Sequence, residues 1–480
     1  MIKNRIYDLQ TAAVRFVKKL RNKNRYGNLG SFFNQSFGNP DKLIEYNKSR
    51  VTGPEPCVCH APFRSLYFDM NGYATACCFN RVHILGKYPE NTIDEIVNGE
   101  KRSRLQMELY RQNFMYGCLH CHKLIEAANF EGVEARLYDG LKDQGTMPSE
   151  IVFELDNICN LECIMCHEGF SSSIAKRKGI AKSKYVYDSE FIRQLKPYLK
   201  KIIVAKFLGG EPLLTNIYYE IWNLILDINP KCKISLQTNG TVFNEKIKSY
   251  LNRGNFYIGI SVDSLIKENF ENIRKNADFN IVMHNIDEFR KIARLKGNFV
   301  NISVCPMPQN WKEIPNLVEY CNNKNVFIYF NTVYTSGFAI SDLSEDKLLE
   351  ILNYYKTINI PVRSYISKRN LKFFKDFVLN VEYWYHTKKQ ASPYTMRRHK
   401  WTGNIFKNFI INKINNDSIS IDKLNNVFEG IINEFYFSDQ DIENLNNLKS
   451  EDLITTLSNE SVIELREMIN RFIEFGKFSK

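Results

Sequence analysis

No uninterrupted apolar run approaches the roughly 18 residues of a membrane helix, so no spanning segment is expected. The start shows no signal-peptide architecture, which argues against secretion by that route and leaves the cytoplasm as the expected compartment. Self-similarity at a fixed period is also absent, which removes solenoid architectures. What the chain does have is length, thiols and positive charge. Its 480 residues, 44% of them apolar, exceed what one core usually organises, so two or three domains are expected. The formal charge, 65 − 53 = +12, favours solubility and can attract anions without saying which. Lys and Asn are plentiful throughout, so solvated lysines account for the charge more simply than a dedicated anionic partner.

Twelve Cys would suit a disulfide scaffold only in a small secreted domain, which this is not. Nine of them lie between Cys57 and Cys166, at short spacings that suit metal thiolates. Cys232, Cys305 and Cys321 stand alone and read as buried small hydrophobes.

The chain divides by composition. Residues 1–50 carry Ile6, Leu9, Ala13, Phe16, Val17 and Leu20 at helical spacing among Lys and Arg, a basic amphipathic segment expected to dock on its own protein. Residues 51–131 form a compact Cys-rich module, and 132–149 read as a linker. From 148 to 336, apolar runs alternate with amphipathic helical stretches, the mark of βα units around a parallel sheet. The runs are Ile151 to Leu155, Ile202 to Leu208, Ile234 to Gln237, Tyr257 to Val262, Val300 to Val304 and Val326 to Phe330. Helices are expected over Tyr218 to Leu226, Glu245 to Leu251, Ile281 to Leu295 and Ile314 to Cys321. The expected fold class is α/β: a partial (β/α)6 TIM-like barrel, preceded by the small Cys-rich module and followed over 337–480 by a helical extension. Ile463, Leu465 and Met468 suggest amphipathic helices near the end of that extension, to which no chemistry is assigned.

The first run leads into Asp156-Asn157-Ile158-Cys159-Asn160-Leu161-Glu162-Cys163-Ile164-Met165-Cys166. This C-x3-C-x2-C spacing puts three thiolates on one loop, and three thiolates leave one iron of a [4Fe-4S] cubane open, whereas four would close it. A zinc knuckle is the alternative, with His167 as a fourth ligand. With Cys at about one position in 40, such a triplet arises by chance on the order of once in a hundred such chains. The second run ends in Gly209-Gly210-Glu211-Pro212, where glycines let the backbone approach a ligand and a carboxylate can receive an ammonium. The third ends in Thr238 and Asn239, the fourth in Ser261 and Asp263.

A C-x3-C-x2-C loop after the first strand of a βα barrel resembles the radical SAM superfamily. The resemblance implies that Cys159, Cys163 and Cys166 hold a [4Fe-4S] cluster whose open iron binds S-adenosylmethionine. Reductive cleavage of that cofactor would then give a 5′-deoxyadenosyl radical that abstracts a substrate hydrogen. By the same resemblance Gly209, Gly210, Glu211 and Pro212 match the motif for the methionyl amino group, and Ser261 and Asp263 fall where relatives contact the ribose or carboxylate. The residue before the third Cys, usually aromatic, is Met165 here.

Upstream, Cys59, Gly72 after twelve residues, Cys77 after four more, and the later Cys118-Leu119-His120-Cys121 resemble the SPASM or twitch module that holds an auxiliary Fe-S cluster. That implies Cys59, Cys77, Cys118 and Cys121 as its ligands, with Cys57 and Cys78 as spare candidates. A Cys₄ zinc ribbon is the alternative, and His60, His83, His120 and His122 keep mixed ligation open. The module precedes the barrel instead of following it.

Relatives of this type modify peptides or protein side chains, which makes a peptide the leading substrate class. A dehydrogenase or epimerase of a sugar-like small molecule is the second reading. RNA modification ranks below both, because no RNA-binding module accompanies the charge. A zinc-binding structural protein is the non-enzymatic alternative. A flavodoxin- or ferredoxin-type electron donor is the partner that the resemblance implies.

Overall fold

Along the central strands apolar and polar residues alternate, and this decides which face of the sheet is wrapped. The computed structural model describes residues 40–429 apart from 115, 182–184, 391–397 and 415–418, then 435–438, 450, and the isolated positions 454, 457, 458, 462, 465, 466 and 469. Nine strands form one sheet: β1 (Ser65–Phe68), β2 (Tyr73–Thr75), β3 (Gly86–Lys87), β4 (Glu150–Phe153), β5 (Val204–Phe207), β6 (Lys233–Thr238), β7 (Asn255–Ser261), β8 (Val300–Val304) and β9 (Phe327–Phe330). Their spatial order is β3-β2-β1-β4-β5-β6-β7-β8-β9, an open half-barrel with edges at β3 and β9. Ile151, Phe153, Ala205, Phe207, Ile234, Leu236, Ile258, Ile260, Ile302 and Ile328 point to one face and merge into a single core. Helices Asn216–Ile228, Glu245–Arg253, Phe279–Leu295 and Ile314–Lys324 cover that face with their own apolar stripes. The other face is polar: Gln237 Nε2 donates to Ser261 Oγ at 2.9 Å, Ser303 Oγ to Gln237 Oε1 at 3.1 Å, and Lys206 pairs with Glu150 at 2.7 Å. A parallel sheet buried on both sides would be apolar on both, so a polar inner face marks a lined cavity.

The six expected strands lie where the apolar runs placed them, and the four expected helices lie within longer ones. What the runs did not disclose is a seventh parallel strand, donated by the Cys-rich module. β1 pairs in parallel with β4, Leu66 opposite Ile151 and Phe68 opposite Phe153, and both Leu66 and Phe68 are completely buried. β2 and β3 then extend the same sheet antiparallel. The stretch read as a linker is packed structure. It contains a 3-10 turn at Glu134–Tyr138, and Arg64 Nη1 donates to the carbonyls of Tyr138 (3.0 Å) and Asp139 (2.9 Å).

Arg102 locks this module from inside. Its buried guanidinium donates to the carbonyls of Pro62 (2.8 Å), Val97 (2.8 Å), Thr146 (2.7 Å) and Phe63 (3.1 Å), with no carboxylate among the four, and burial draws its pKa down to about 10. Arg102→Leu leaves four carbonyls without that donor, so denaturant unfolding should show a loss of about 3 to 5 kcal/mol.

The extension beyond 337 has two visible tasks. Helix Tyr365–Gln390 closes the β9 edge: Asn370, fully buried, accepts from Ile328 N (3.0 Å) and donates to Val326 O (2.9 Å). Trp401, Phe406, Ile410, Leu424, Val427 and Phe428 build a second core with Leu43 and Tyr46 of helix Pro40–Ser49 and with Val58, Phe114 and Ile125 of the Cys-rich module. Leu465 is buried in the same core, whereas Ile463, Met468 and residues 1–39 of the 1–50 segment lie outside the described residues. Among the described residues no helix is long and apolar enough to cross a membrane.

Candidate functional site

Three stretches far apart in sequence meet at the carboxyl ends of β4, β5 and β6. The Cys loop leaves β4 and is held by its own neighbourhood. Ser171 Oγ donates to Leu161 O (2.7 Å), Ser172 N to Asn157 O (2.8 Å), and Ser173 Oγ to Cys159 O (2.7 Å). The Gly-Gly turn after β5 rests on this loop, with Glu211 N donating to Ile158 O at 2.6 Å. Both glycines adopt positive φ, +79° at Gly209 and +46° at Gly210, and a Cβ on Gly210 would lie 2.2 Å from Ile158 O. Glycine is required here for backbone-on-backbone contact as well as for access to a ligand.

Glu211 has no accessible surface. One carboxylate oxygen accepts from Leu213 N (3.1 Å) and Thr238 Oγ1 (2.7 Å), the other from Asn239 N (2.6 Å). Asn239 Nδ2 in turn donates to Asn160 Oδ1 at 2.9 Å and stands 4.0 Å from Cys159 Sγ. The carboxylate therefore ties turn, strand end and Cys loop together instead of pointing at a ligand. Pro212 is buried behind it, and Gly209 and Gly210 keep partial exposure. Burial pushes Glu211 up to about 7 from 4.5, against the charge-favouring bonds from Asn239, Thr238 and Leu213. A raised folded-state pKa stabilises the fold fully below the unfolded value and loses that contribution as pH climbs through the folded one. In denaturant unfolding of the metal-free protein, the advantage of wild type over Glu211→Gln should thus shrink between pH 5 and pH 8.

The three thiols of the loop are half-buried. Burial pushes Cys163 up to about 11 and Cys166 up to about 12, and raises Cys159 as well, so loading a metal group must draw protons off. Among the described residues no three His, Cys, Asp or Glu side chains converge on a single metal ion. His167, the fourth zinc ligand considered above, has Nδ1 occupied by Gly169 N at 3.1 Å. Arg274 is the residue that the sequence did not announce. Its Nη1 lies 3.9 Å from Cys163 Sγ, and its buried Nε has no hydrogen-bond partner among the described residues. A buried donor without an acceptor, on a cation beside three thiols, fits a sulfide-rich cluster.

Ser261 is accessible on the inner face, its hydroxyl accepting from Gln237. Asp263 is completely buried, facing Arg274 Nη2 at 2.8 Å and accepting from Cys305 N at 2.7 Å. With no accessible surface it offers a ligand nothing unless it moves. Cys305, read from sequence as a core thiol, is raised chiefly by burial and by Asp263, and stands close enough to Cys163 and Cys166 for each to add to the shift.

In the upstream module four thiols lie near enough to influence one another, and each accepts from an amide. Cys59 accepts from Ala61 N (3.3 Å), Cys77 from Asn80 N (3.3 Å), Cys118 from Asn80 Nδ2 (3.6 Å), and Cys121 from the Ala135 and Glu134 amides. Burial raises all four, and Cys59 is raised further by Cys121, Cys77 and Cys118. Cys57 turns away to His60 Nδ1 (3.4 Å), and Cys78 lies toward Arg81 and Glu154. Arg81 joins the two regions: it donates to Cys78 O (2.7 Å), packs over Tyr67 (4.4 Å) and pairs with Glu154 (3.2 Å).

Comparison with known proteins bears directly on this arrangement. Residues 154–321 match the radical SAM superfamily, and residues 57–122 match the iron-sulfur cluster-binding domain SPASM. The chain carries a radical SAM domain with a SPASM domain before it. A radical SAM domain implies a [4Fe-4S] cluster and S-adenosylmethionine, and the SPASM domain before it implies auxiliary clusters. Among curated radical SAM relatives, the probable GTP 3′,8-cyclase of Methanocaldococcus jannaschii is 31% identical over 176 residues, 35% of this chain and 53% of that protein. The GTP 3′,8-cyclase of Nautilia profundicola is 28% identical over 174 residues, 36% of this chain and 52% of the other. The chain thus spans about half the length of these relatives. Solved structures with some likeness include native anSMEcpe with bound AdoMet, at 22% identity and a TM-score of 0.34 over 43% of this chain and 59% of that one. Another is Streptococcus suis SuiB bound to S-adenosylmethionine, at 15% identity and a TM-score of 0.32 over 44% of each chain.

Proposed function

We propose that Cys159, Cys163 and Cys166 hold the cluster at which S-adenosylmethionine is cleaved, that Cys59, Cys77, Cys118 and Cys121 hold an auxiliary cluster, and that the substrate is a peptide or protein side chain. The observation carrying the first part is the bonded network Glu211-Thr238-Asn239-Asn160, which joins the Gly-Gly turn and the β6 end to the loop bearing the three thiols. When bound, the cluster and cofactor supply one-electron cleavage of a carbon–sulfur bond, giving methionine and a 5′-deoxyadenosyl radical that takes a hydrogen atom from the substrate.

The chain's own residues bind and orient. Gly209 and Gly210 keep a bare backbone edge beside the loop, and Glu211 fixes that edge. Ser261 has its hydroxyl proton free to donate to the cofactor, because it already accepts from Gln237. On the inner face Lys206 is matched by Glu150 and Arg81 by Glu154 and Asp69, while Lys233, at the start of β6, lies over the Tyr257 ring. A face of amides, hydroxyls and paired charges suits a neutral polar backbone better than a triphosphate, which would need unpaired cations. This favours a peptide over the nucleotide for which the curated relatives are named. A flavodoxin- or ferredoxin-type protein would deliver the electron.

The test has two readouts. Adding S-adenosylmethionine to the reduced, reconstituted protein should change its EPR signal in wild type but not in the Cys159/Cys163/Cys166→Ala protein. A deuterated peptide pool should pass deuterium to 5′-deoxyadenosine, and deuterated GTP should not. Transfer from GTP alone would replace the peptide reading with the nucleotide one.

A further inference from the structure

The end of helix Lys267–Ile273 is fastened to the Cys loop by two backbone bonds. Glu162 N donates to Lys275 O (3.0 Å) and Ile164 N to Ile273 O (3.0 Å). These bonds flank one residue on each strand of the contact, so Cys163 and Arg274 stand directly opposite each other. The guanidinium reaches the thiol, with Nη1 at 3.9 Å from Sγ, while Nη2 faces the Asp263 carboxylate at 2.8 Å. The pair itself is sealed, with Arg274 at 6% exposure and Asp263 at 0%. The carboxylate is itself fixed, Oδ1 accepting from Cys305 N at 2.7 Å, and Asn310 Nδ2 holds the Asp263 carbonyl at 2.9 Å.

We infer that Asp263 and Arg274 are positioning residues that set the reduction potential of the cluster bound through Cys163, Asp263 fixing the cation and partly offsetting it. This rests on the proposed reading that Cys163 is a ligand. A buried positive charge next to a cluster stabilises the reduced form, which carries one more negative charge, and so raises the potential. A buried carboxylate one residue further away acts in the opposite sense. The pair therefore makes a prediction that a packing role does not: its two members should move the potential in opposite directions.

The experiment is an EPR-monitored redox titration of the full-length reconstituted protein, following the signal that changes on adding S-adenosylmethionine. Arg274→Gln should lower the reduced-to-oxidised ratio at a fixed potential by about tenfold, which for a one-electron couple is about 59 mV. Asp263→Asn should raise it, and the double variant should return toward wild type. Arg274→Lys, which keeps the charge, should shift it less than Arg274→Gln. Shifts of both single variants in the same direction, or none in either, would overturn the inference. Should Arg274→Gln fail to assemble a cluster, Asp263→Asn decides by itself: a raised potential supports the inference, and a lowered or unchanged one overturns it. Failure of the underlying reading looks different, since the responsive signal would then survive in the Cys159/Cys163/Cys166→Ala protein.

Discussion

Replacing Cys159, Cys163 and Cys166 together by Ala is expected to cut the iron of the reconstituted protein from about eight atoms per chain to about four, one cubane of two. The fold should survive the change. The loop is held by Ser171, Ser172 and Ser173 and by backbone bonds to Ile273 and Lys275, none of which needs a thiol side chain. The remaining iron would sit with the four upstream thiols, which are held separately by the amides of Ala61, Asn80, Glu134 and Ala135. Iron analysis beside a thermal melt of the metal-free proteins checks both halves. Zinc in place of iron, in either variant, would return the thiols to the structural reading.

Gly210→Ala should be nearly as damaging to the same cluster without touching a thiol. The new Cβ would sit 2.2 Å from Ile158 O and 2.7 Å from the Asn157 carbonyl carbon, at a φ of +46°. Both obstacles are backbone of the segment that delivers Cys159, so relief requires that segment to move. Strain and clash together should cost about 3 kcal/mol. Iron should fall by about one cubane, as in the triple variant. Gly337→Ala is the control: φ there is +82° but nothing lies within 4 Å of the added carbon, so only the conformational cost applies, about 1 to 2 kcal/mol, with iron unchanged. Equal iron loss in both variants would mean that the clash with the Cys loop is not what Gly210 avoids.

The barrel was legible because its strands are short apolar runs set between amphipathic helices, and such runs carry their own signal. β1 was not, since Ser65-Leu66-Tyr67-Phe68 is only four residues long and gains its place by pairing with β4, 85 positions later. The Cys spacings drew attention to both thiol sets, and within the upstream one Cys59 and Cys77 accept amide hydrogens while Cys57 meets His60. Spacing could not say where the carboxylates of Glu211 and Asp263 would point. Both were read as facing the cofactor, and both are consumed inside the protein, one by the β6 end and one by Arg274. Arg274 itself lies in Asn272-Ile273-Arg274-Lys275, which carries no motif. It is recruited by two backbone bonds from the Cys loop, a tertiary event with no local signature.

The central claim is that the loop from Cys159 to Cys166 cleaves S-adenosylmethionine by one-electron reduction. It is tested most directly by anaerobic incubation of the reconstituted protein with dithionite and S-adenosylmethionine, followed by quantifying 5′-deoxyadenosine. Wild type should form it, and the Cys159/Cys163/Cys166→Ala protein should form none above the protein-free control. Equal 5′-deoxyadenosine from the two proteins would contradict the account.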